Sequence, residues 1–270
     1  MKKIRRFQCG LRAAAMLSVL ATAISVKGQT YLLTNWMIDP FCPDTNYVLS
    51  GANSINPSLV NNGVMRGSLY VNSPIGATLT LARPGDRITF SGLVTLAGHV
   101  NPDGNLQFRF GLFLQGKNAA DTNWLGYLVG NPTSTGDSAT NGLYVRNNPN
   151  PGNYGSGSTG STTWPDSETT AYNRDWSAGT YVFSLSVSQL SPEAQRVSWK
   201  LAGVAPNTYI YSGVYTNASA LTTPTAFDQV GFLGGGALFN VSSVNDVIGF
   251  NDLLVTYAPR NHQGPAANLK

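Results

Sequence analysis

Residues 105–114, with the sequence NLQFRFGLFL, constrain the fold more than any other segment. Phe108 and Phe110 share one parity, whereas Gln107 and Arg109 share the other. Because successive side chains of a β-strand point to opposite faces, this alternation predicts a strand with one apolar face and one mixed face. The apolar face is stable only when a second layer covers it. The segment therefore predicts a sheet that packs against another layer.

The rest of the sequence predicts further strands and almost no helix. No long window repeats apolar residues at helical spacing, and Pro, Gly, Asn, Ser and Thr are frequent. The sequences RPGD at 83–86 and NPDG at 101–104 predict turns between strands, because proline favours the second position of a turn. The predicted strands are 31–38, 67–71, 78–82, 87–97, 106–114, 124–129, 143–146, 179–189, 196–201, 226–233 and 247–257.

Residues 1–28 predict a secretory signal peptide. A basic start, MKKIRR, precedes an apolar run at 13–26. This run is shorter than the roughly 20 residues of a membrane-spanning helix, so we expect no integral membrane segment in the mature chain. The residues at the −3 and −1 positions, Val26 and Gly28, favour cleavage after Gly28, with cleavage after Ala23 as the second choice. We expect a secreted protein, either extracellular or periplasmic.

The leader also explains the positive charge of the precursor. The whole chain has 17 basic and 13 acidic residues, but six of the basic residues and none of the acidic ones precede residue 29. Eleven basic and 13 acidic residues then remain, a net charge of −2. We therefore expect no nucleic-acid partner.

Of the two cysteines, Cys9 lies in the leader and Cys42 remains alone in the mature chain. An intramolecular disulfide is then impossible, and a lone cysteine is more often a small buried apolar residue than a reactive thiol. The fold must be stabilised by its own core. About 240 residues are enough for this, because single β-sandwich domains reach that size.

One domain at 29–258 and a C-terminal tail at 259–270 follow from the strand pattern. The domain contains a low-complexity segment at 147–163, NNPNPGNYGSGSTGSTT. This composition is typical of a solvated loop. The alternative is a flap over a binding face, with Tyr154 and Trp164 as its aromatic contacts.

Several strand sequences resemble a known family. FDQVGFLGGG at 227–236 and VIGFNDLLVTY at 247–257 resemble the closing strands of concanavalin A-like lectin/glucanase sandwiches, the jelly rolls that include laminin-G-like modules. GDRITFSG at 85–92 and QFRFGLF at 107–113 are similar to the middle strands of secreted bacterial members. The resemblance implies an all-β fold of two antiparallel sheets, with a concave face that often holds carbohydrate.

The resemblance also implies a structural calcium ion, which these sandwiches often carry. Asp252 stands at the matching position, between Phe250 and Leu254. Its partners would be Asp246 or backbone carbonyls, since calcium prefers oxygen ligands. The alternative is that Asp252 binds neighbouring backbone. No other cofactor is expected.

The sequence offers little support for catalysis. The Glu-x-Asp-x-x-Glu motif of the family's glucanases is absent, and Glu168 and Glu193 are far apart. An aspartate pair, Asp166 with Asp175, remains an alternative as the two catalytic carboxyl groups of a hydrolase. The sequence also lacks a nucleophile elbow and a cluster of metal ligands.

A polysaccharide lyase on this fold would need a His or Tyr base beside an Arg or Gln. Both histidines lie outside the predicted strands. A tyrosine base, Tyr127 or Tyr144, beside Arg109 and Gln107 remains an alternative.

The leading prediction is a secreted, non-catalytic protein that binds carbohydrate or associates with the cell envelope. The alternatives are a lyase or glycoside hydrolase on the same fold, and a structural surface protein without a small ligand.

The mixed face of the strand at 106–114 is the predicted glycan site. Aromatic rings stack on sugar C–H groups, and planar amide and guanidinium groups bind sugar hydroxyls. Two arginines would favour sugars with carboxylate or sulfate groups. The alternative is that both arginines pair with acids on a solvated sheet. The predicted ligand-binding residues are Gln107, Arg109, Trp124, Tyr127, Tyr144, Arg146 and Trp164.

The first testable prediction concerns the mature N-terminus. We expect the exported protein to begin at Gln29, because the leader ends in residues suited to cleavage after Gly28. Mass spectrometry of exported material measures this directly. Exported protein that retains Met1 or Lys2 would contradict the prediction.

Overall fold

The chain forms two antiparallel β-sheets, and the computed structural model describes residues 28–39, 46–63, 68–115, 124–133, 142–146, 168–218, 224–240 and 246–260. These described residues belong to one compact unit. The strands are β1 (Gln29–Leu32), β2 (Met37–Ile38), β3 (Tyr47–Ser50), β4 (Ser58–Asn61), β5 (Leu69–Thr80), β6 (Arg87–Ala97), β7 (Phe108–Leu114), β8 (Leu125–Gly130), β9 (Leu143–Arg146), β10 (Glu168–Tyr172), β11 (Gly179–Ser191), β12 (Ala194–Gly203), β13 (Ile210–Asn217), β14 (Ala226–Gly234) and β15 (Val247–Ala258).

One sheet has six strands and the other has nine. The six-stranded sheet has the order β2-β5-β14-β7-β8-β9, so β7 lies between β14 and β8. The nine-stranded sheet has the order β10-β13-β12-β11-β6-β15-β4-β3, and β1 also pairs with β15. Every strand pair is antiparallel. The predicted all-β fold of two antiparallel sheets is therefore confirmed.

Aromatic side chains hold the two sheets together. Phe108, Phe110 and Leu112 of β7 are buried in the main core, as the alternation predicts. The ring of Phe110 lies 5.0 Å from that of Phe183 on the facing sheet, and the ring of Phe90 lies 5.4 Å from that of Phe232. Each large side chain of this kind contributes roughly 1.5–3 kcal/mol when it is removed from water. The interlocked rings therefore make the interior between the sheets the main source of stability.

Two of the predicted strand regions differ from the described strands. Residues 31–38 were predicted as one strand, but β1 and β2 pair with different sheets. The predicted strands 67–71 and 78–82 belong to one long strand, β5, even though Pro74 and Gly76 are residues typical of turns. Pairing with β14 continues through this region by a shift in register between Phe227 and Gln229. Tertiary pairing thus overrides the local turn signal.

Strands β3, β4, β10 and β13 were not predicted. Their sequences are short or rich in Ser, Thr and Asn, so the apolar alternation is weak. Several sequence predictions lie outside the described residues, namely most of the leader and the tail, the segment at 147–163, Cys42 and Trp164. Nowhere in the described part of the chain does a helix reach the length and hydropathy of a membrane span.

A buried polar network also joins the two sheets. The hydroxyl of Tyr127 on β8 donates to Gln195 Oε1 on β12 at 2.6 Å, and Asn217 Nδ2 donates to the same hydroxyl at 3.1 Å. Gln195 Nε2 donates to Gln189 Oε1 and to the carbonyl of Pro224. Since a buried polar group without a partner costs free energy, the network fixes how the edge of one sheet meets the other.

The second prediction tests this network. Tyr127→Phe keeps the ring but leaves the buried amides of Gln195 and Asn217 without their hydroxyl partner, so we expect a loss of about 1–3 kcal/mol in the free energy of unfolding. Chemical denaturation measures it. Tyr257→Phe is the matched control, because the Tyr257 hydroxyl bonds the carbonyl of Thr80 near the surface. Its effect should stay within about 0.5 kcal/mol. Equal losses in both variants would contradict the prediction.

Candidate functional site

The predicted glycan patch lies on the outer face of the six-stranded sheet, but it is buried. Trp124 is 2% exposed, Tyr144 is 4% exposed and Arg146 is 1% exposed. The alternative that placed both arginines on a solvated sheet face is therefore wrong for Arg146. The reason is a second apolar cluster on this face, whose members are Tyr70, Leu106, Phe113, Trp124, Leu128, Tyr144 and Leu233.

Both arginines of the patch are embedded in this cluster. The guanidinium carbon of Arg109 lies 4.7 Å from the centre of the Tyr144 ring, and its Nε donates to the carbonyl of Leu106 at 2.7 Å. Burial lowers the pKa of Arg109, and the neighbouring tyrosines partly oppose this effect. Arg146 Nε donates to the carbonyl of Trp124 at 2.8 Å. These described contacts orient the guanidinium groups within the protein, so the glycan-binding role of the patch stays a prediction.

Two of the predicted site residues point elsewhere. Tyr127 belongs to the main core between the sheets, on the face of the six-stranded sheet opposite Arg109. A lyase site that pairs Tyr127 with Arg109 is therefore contradicted by the geometry, whereas Tyr144 does lie beside Arg109. Gln107 is half-buried and its Nε2 donates to the carbonyl of Asn105. The structure thus brings together Arg109, Trp124, Tyr144 and Arg146 only, and Trp164 lies outside the described residues.

The residues expected at the calcium site do not fit an ion together. Asp252 is exposed, has a φ of 54° at an irregularity in β15, and its N–H donates to Asn56 Oδ1. Asp246 is buried just before β15 and accepts from the backbone N–H of His99, with the His99 ring nitrogen at 3.3 Å. Six residues of extended chain separate the two carboxylates by about 20 Å, so they cannot share one ion. Calcium at Asp252 with backbone carbonyls stays a prediction.

Among the described residues, no group of three or more His, Cys, Asp or Glu side chains comes together in a way that could hold a metal ion.

An open groove that the sequence did not predict lies at one end of the nine-stranded sheet. Two loops form it, 173–178 before β11 and 204–209 after β12, and its volume is about 370 Å³. We call it the hairpin groove. Its lining combines small apolar groups with hydroxyl and amide groups, from Ser177, Ala178, Gly179, Thr180, Val204, Ala205, Pro206 and Asn207.

Asn207 fixes the shape of the hairpin groove. Its Nδ2 donates to Ser177 Oγ at 3.2 Å and to the Tyr181 hydroxyl at 2.8 Å, while its Oδ1 accepts from the N–H of Tyr209. A Cβ atom at Gly203 would lie 2.3 Å from this Oδ1, so glycine is needed for the close approach. The two loops are therefore tied to each other before any ligand arrives.

A buried aromatic cluster supports the groove from below. Trp176 lies in loop 173–178 and turns into the core, where its ring lies 4.6 Å from Tyr181 and 5.0 Å from Tyr209. The Tyr209 hydroxyl donates to the carbonyl of Pro132, which links this loop region to the segment after β8. The buried ring of Trp176 anchors loop 173–178, so the polar groups that line the hairpin groove are held on a rigid base.

The chemistry of the groove is that of uncharged hydrogen bonding. Ser177 Oγ and Asn207 Oδ1 each keep acceptor capacity after the described bonds are counted, because a hydroxyl and an amide oxygen each carry two lone pairs. The acid in loop 173–178 is Asp175, and it already accepts from the Thr208 hydroxyl at 2.8 Å. The sequence signal for this site was weak, and consisted of Trp176 in RDWSAG, just before the predicted strand at 179–189.

Comparisons with known proteins bear on the fold. No protein-family model matches the chain, and no curated protein does. Among solved structures, arcelin-5, a lectin-like defense protein from Phaseolus vulgaris, is similar over 87% of this chain and 99% of its own, with 9% identity and a TM-score of 0.48. Lectin II from Ulex europaeus is similar over 86% of this chain and 98% of its own, with 14% identity and a TM-score of 0.41.

The exoplasmic/lumenal domain of VIP36, in a Ca2+/Man-bound form, is similar over 86% of this chain and 85% of its own, with 11% identity and a TM-score of 0.42. These structures include a lectin-like protein and a lectin, the class of protein that the sequence resemblance named. At these identities the likeness concerns the arrangement of strands, and it carries no information on a ligand.

The third prediction concerns the aromatic cluster under the groove. Burial raises the pKa of Tyr181, and it raises that of Tyr209 more strongly. In the unfolded chain these hydroxyls release their protons near pH 10, whereas the folded chain keeps them to higher pH. Above about pH 10 the unfolded state therefore binds fewer protons, and the free energy of unfolding should fall as the pH rises. At pH 7 these groups should have no effect on its pH dependence.

Chemical denaturation at a series of pH values between about 7 and 11 measures this slope. Tyr209→Phe removes one of the titrating groups and should make the fall above pH 10 shallower. A free energy of unfolding that stays constant up to pH 11 would show that the tyrosines are not held protonated by the fold.

Proposed function

We propose that this protein is a secreted, non-catalytic carbohydrate-binding β-sandwich, and that the hairpin groove takes an uncharged sugar. The observation that carries the proposal is the groove itself, about 370 Å³ in volume and open to solvent beside exposed Val204, Ala205 and Pro206. Binding sites for small ligands have volumes of roughly 300–1,000 Å³. The leader predicted at 1–28 supports export to the compartment where extracellular glycans are found.

The lining of the groove supports a sugar over other small ligands. A sugar ring presents hydroxyl groups on its rim and C–H groups on its faces. Ser177 and Asn207 offer oriented oxygens, and Val204 and Pro206 offer apolar surface in the same lining. Since the hydrogen bonds of Asn207 already fix the loops, binding should require little ordering of the protein.

The groups around the groove favour binding over catalysis. Glycoside hydrolysis needs two carboxyl groups on opposite sides of the scissile bond. In the described residues of the two loops, Asp175 is the single acid, and its Oδ2 accepts from the Thr208 hydroxyl. The basic side chain of the same loop, Arg174, is exposed and lies next to Asp175 in the sequence. This arrangement supports a lectin-like role.

The fourth prediction is the binding test. Wild-type protein should bind at least one neutral polysaccharide or its oligosaccharides on a glycan array, with affinities measured by titration calorimetry. Ser177→Ala removes one hydroxyl oxygen but keeps the backbone contacts of residue 177 with Tyr181, so binding should weaken by about 2- to 10-fold. Ala178→Arg fills the groove and should abolish binding.

Thr78→Arg is the matched control, because it adds the same side chain at an exposed position of β5 in the other sheet. It should bind as wild type does, and thermal melts should show all variants folded. Absence of binding to every neutral glycan, or unchanged binding by Ala178→Arg, would overturn the proposed site. Release of reducing ends or unsaturated sugars from any bound polysaccharide would overturn the non-catalytic assignment.

A further inference from the structure

The outer face of the nine-stranded sheet carries three exposed basic side chains, with Ser and Thr hydroxyl groups between and beside them. They are Arg87 on β6, Arg196 on β12 and Lys200 on β12, and we call this surface the basic face. The alternation of β12 sets their direction, because Val197 and Leu201 are buried in the core while Arg196 and Lys200 are exposed. The surface is on the opposite side of the sheet from the main core.

The strand register fixes the spacing of the three charges. Arg87 is paired with Ser188 of β11, and Ser188 is paired with Arg196 of β12. The two arginines therefore lie two strands apart, about 10 Å in the plane of the sheet. Lys200 lies four residues beyond Arg196 on the same strand, about 13 Å away. The cations thus form a triangle of moderate size rather than a single tight cluster.

These cations have no described acidic partner. Within the described ranges, the ion pair found joins His99 and Asp246, and it lies elsewhere. Arg87 Nε donates to the hydroxyl of Ser188 at 3.1 Å, which leaves both of its Nη groups available. Glu193, in the turn between β11 and β12, and Asp252, on β15, are exposed acids of the same sheet, and neither forms an ion pair with the basic face.

Hydroxyl groups occupy the positions between and beside the cations. Thr89 and Ser186 bond each other at 2.7 Å across β6 and β11, and Thr95 and Thr180 do so at 2.9 Å. The register extends these rows across neighbouring strands, with Thr256 beside Thr89 and Ser198 beside Ser186, and with Ser91 beside Ser184 and Ser184 beside Lys200. Each hydroxyl can both donate and accept, which suits a ligand that is itself rich in hydroxyl groups.

From this juxtaposition we propose that the basic face binds an acidic polysaccharide, one whose sugars carry sulfate or carboxylate groups. The cations bind the anionic groups, and the hydroxyl rows bind the sugar hydroxyls between them. The expected mature chain has a net charge of −2, so the chain as a whole does not attract a polyanion, and a local group of cations such as this one has to supply the attraction. The site is separate from the hairpin groove and does not depend on it.

The fifth prediction tests the basic face with the full mature chain. Dextran sulfate and polygalacturonate serve as acidic probes, and unmodified dextran serves as the neutral one. We expect wild type to bind the acidic probes, with affinity that falls as salt is raised. Arg87→Gln, Arg196→Gln and Lys200→Gln should each weaken binding by about 2- to 5-fold, and the triple variant should weaken it by more than about 10-fold.

Arg174→Gln is the matched control, because it removes the same charge from an exposed arginine in loop 173–178, at the other end of the sheet. It should bind as wild type does. Equal weakening in Arg174→Gln and Arg196→Gln would show a general charge effect and overturn the site. So would absence of binding to both acidic probes. Equal or tighter binding to phosphatidylserine vesicles or to DNA would overturn the assignment to polysaccharide.

The two proposed binding sites can be tested independently of each other. Ala178→Arg blocks the hairpin groove and should leave binding to dextran sulfate intact, whereas the triple variant of the basic face should leave binding to neutral glycans intact. Loss of both activities in either variant would contradict the assignment of two sites.

Discussion

The contact between β7 and the facing sheet is the constraint on which the rest of the structure depends. Phe108 and Phe110 point inward from a strand that lies between β14 and β8, and their rings meet Trp176 and Phe183 of the other layer. Because β7 also buries Phe113 on its outer side, this strand packs side chains on both of its faces, although the sheet keeps exposed positions such as Thr78 on β5. A strand buried on both faces organises the fold, and the predicted site residues beside it are oriented by contacts within the protein.

Open polar surface is found instead on the nine-stranded sheet and its loops. One face of that sheet packs on the core, and the other alternates Ser, Thr and basic side chains toward solvent. The hairpin groove lies where β11 begins and β12 ends, above the anchored ring of Trp176. Both proposed sites therefore stand on strands that the core already holds rigid, which is the condition for recognition without a large ordering cost.

The fold could be predicted because the alternation of apolar and polar residues is a signal within each strand. The candidate site also depends on which strands and loops lie next to each other, and the sequence shows this only in part. Alternation in β7, β11 and β12 predicted which side chains enter the core. The same alternation could have placed Tyr127 correctly, since it stands an odd number of residues from Trp124 and so faces the opposite way. Phe113 and Leu128 gave a further signal, because they are two apolar residues on the face of the predicted glycan site.

Other features lay beyond sequence reasoning because they depend on long-range register. The spacing of Arg87 and Arg196 follows from the pairing of both strands with β11, and they are 109 positions apart in the chain. The hairpin groove likewise requires Asn207 to reach Ser177 across two loops that are 30 residues apart. No local pattern contains such pairings.

The common strand β12 also relates the two proposed sites to each other. Gly203, at its end, touches Asn207 of the groove, while Lys200 stands three residues earlier on the basic face. That separation is about 10 Å along the strand. A polysaccharide with both neutral and acidic sugars could therefore contact the two sites with one chain, and linked contacts of this kind raise the overall affinity without any new interaction in the protein. The strand that connects the sites is held by Trp199 and Leu201 in the core, so their spacing is fixed by the same burial that stabilises the fold.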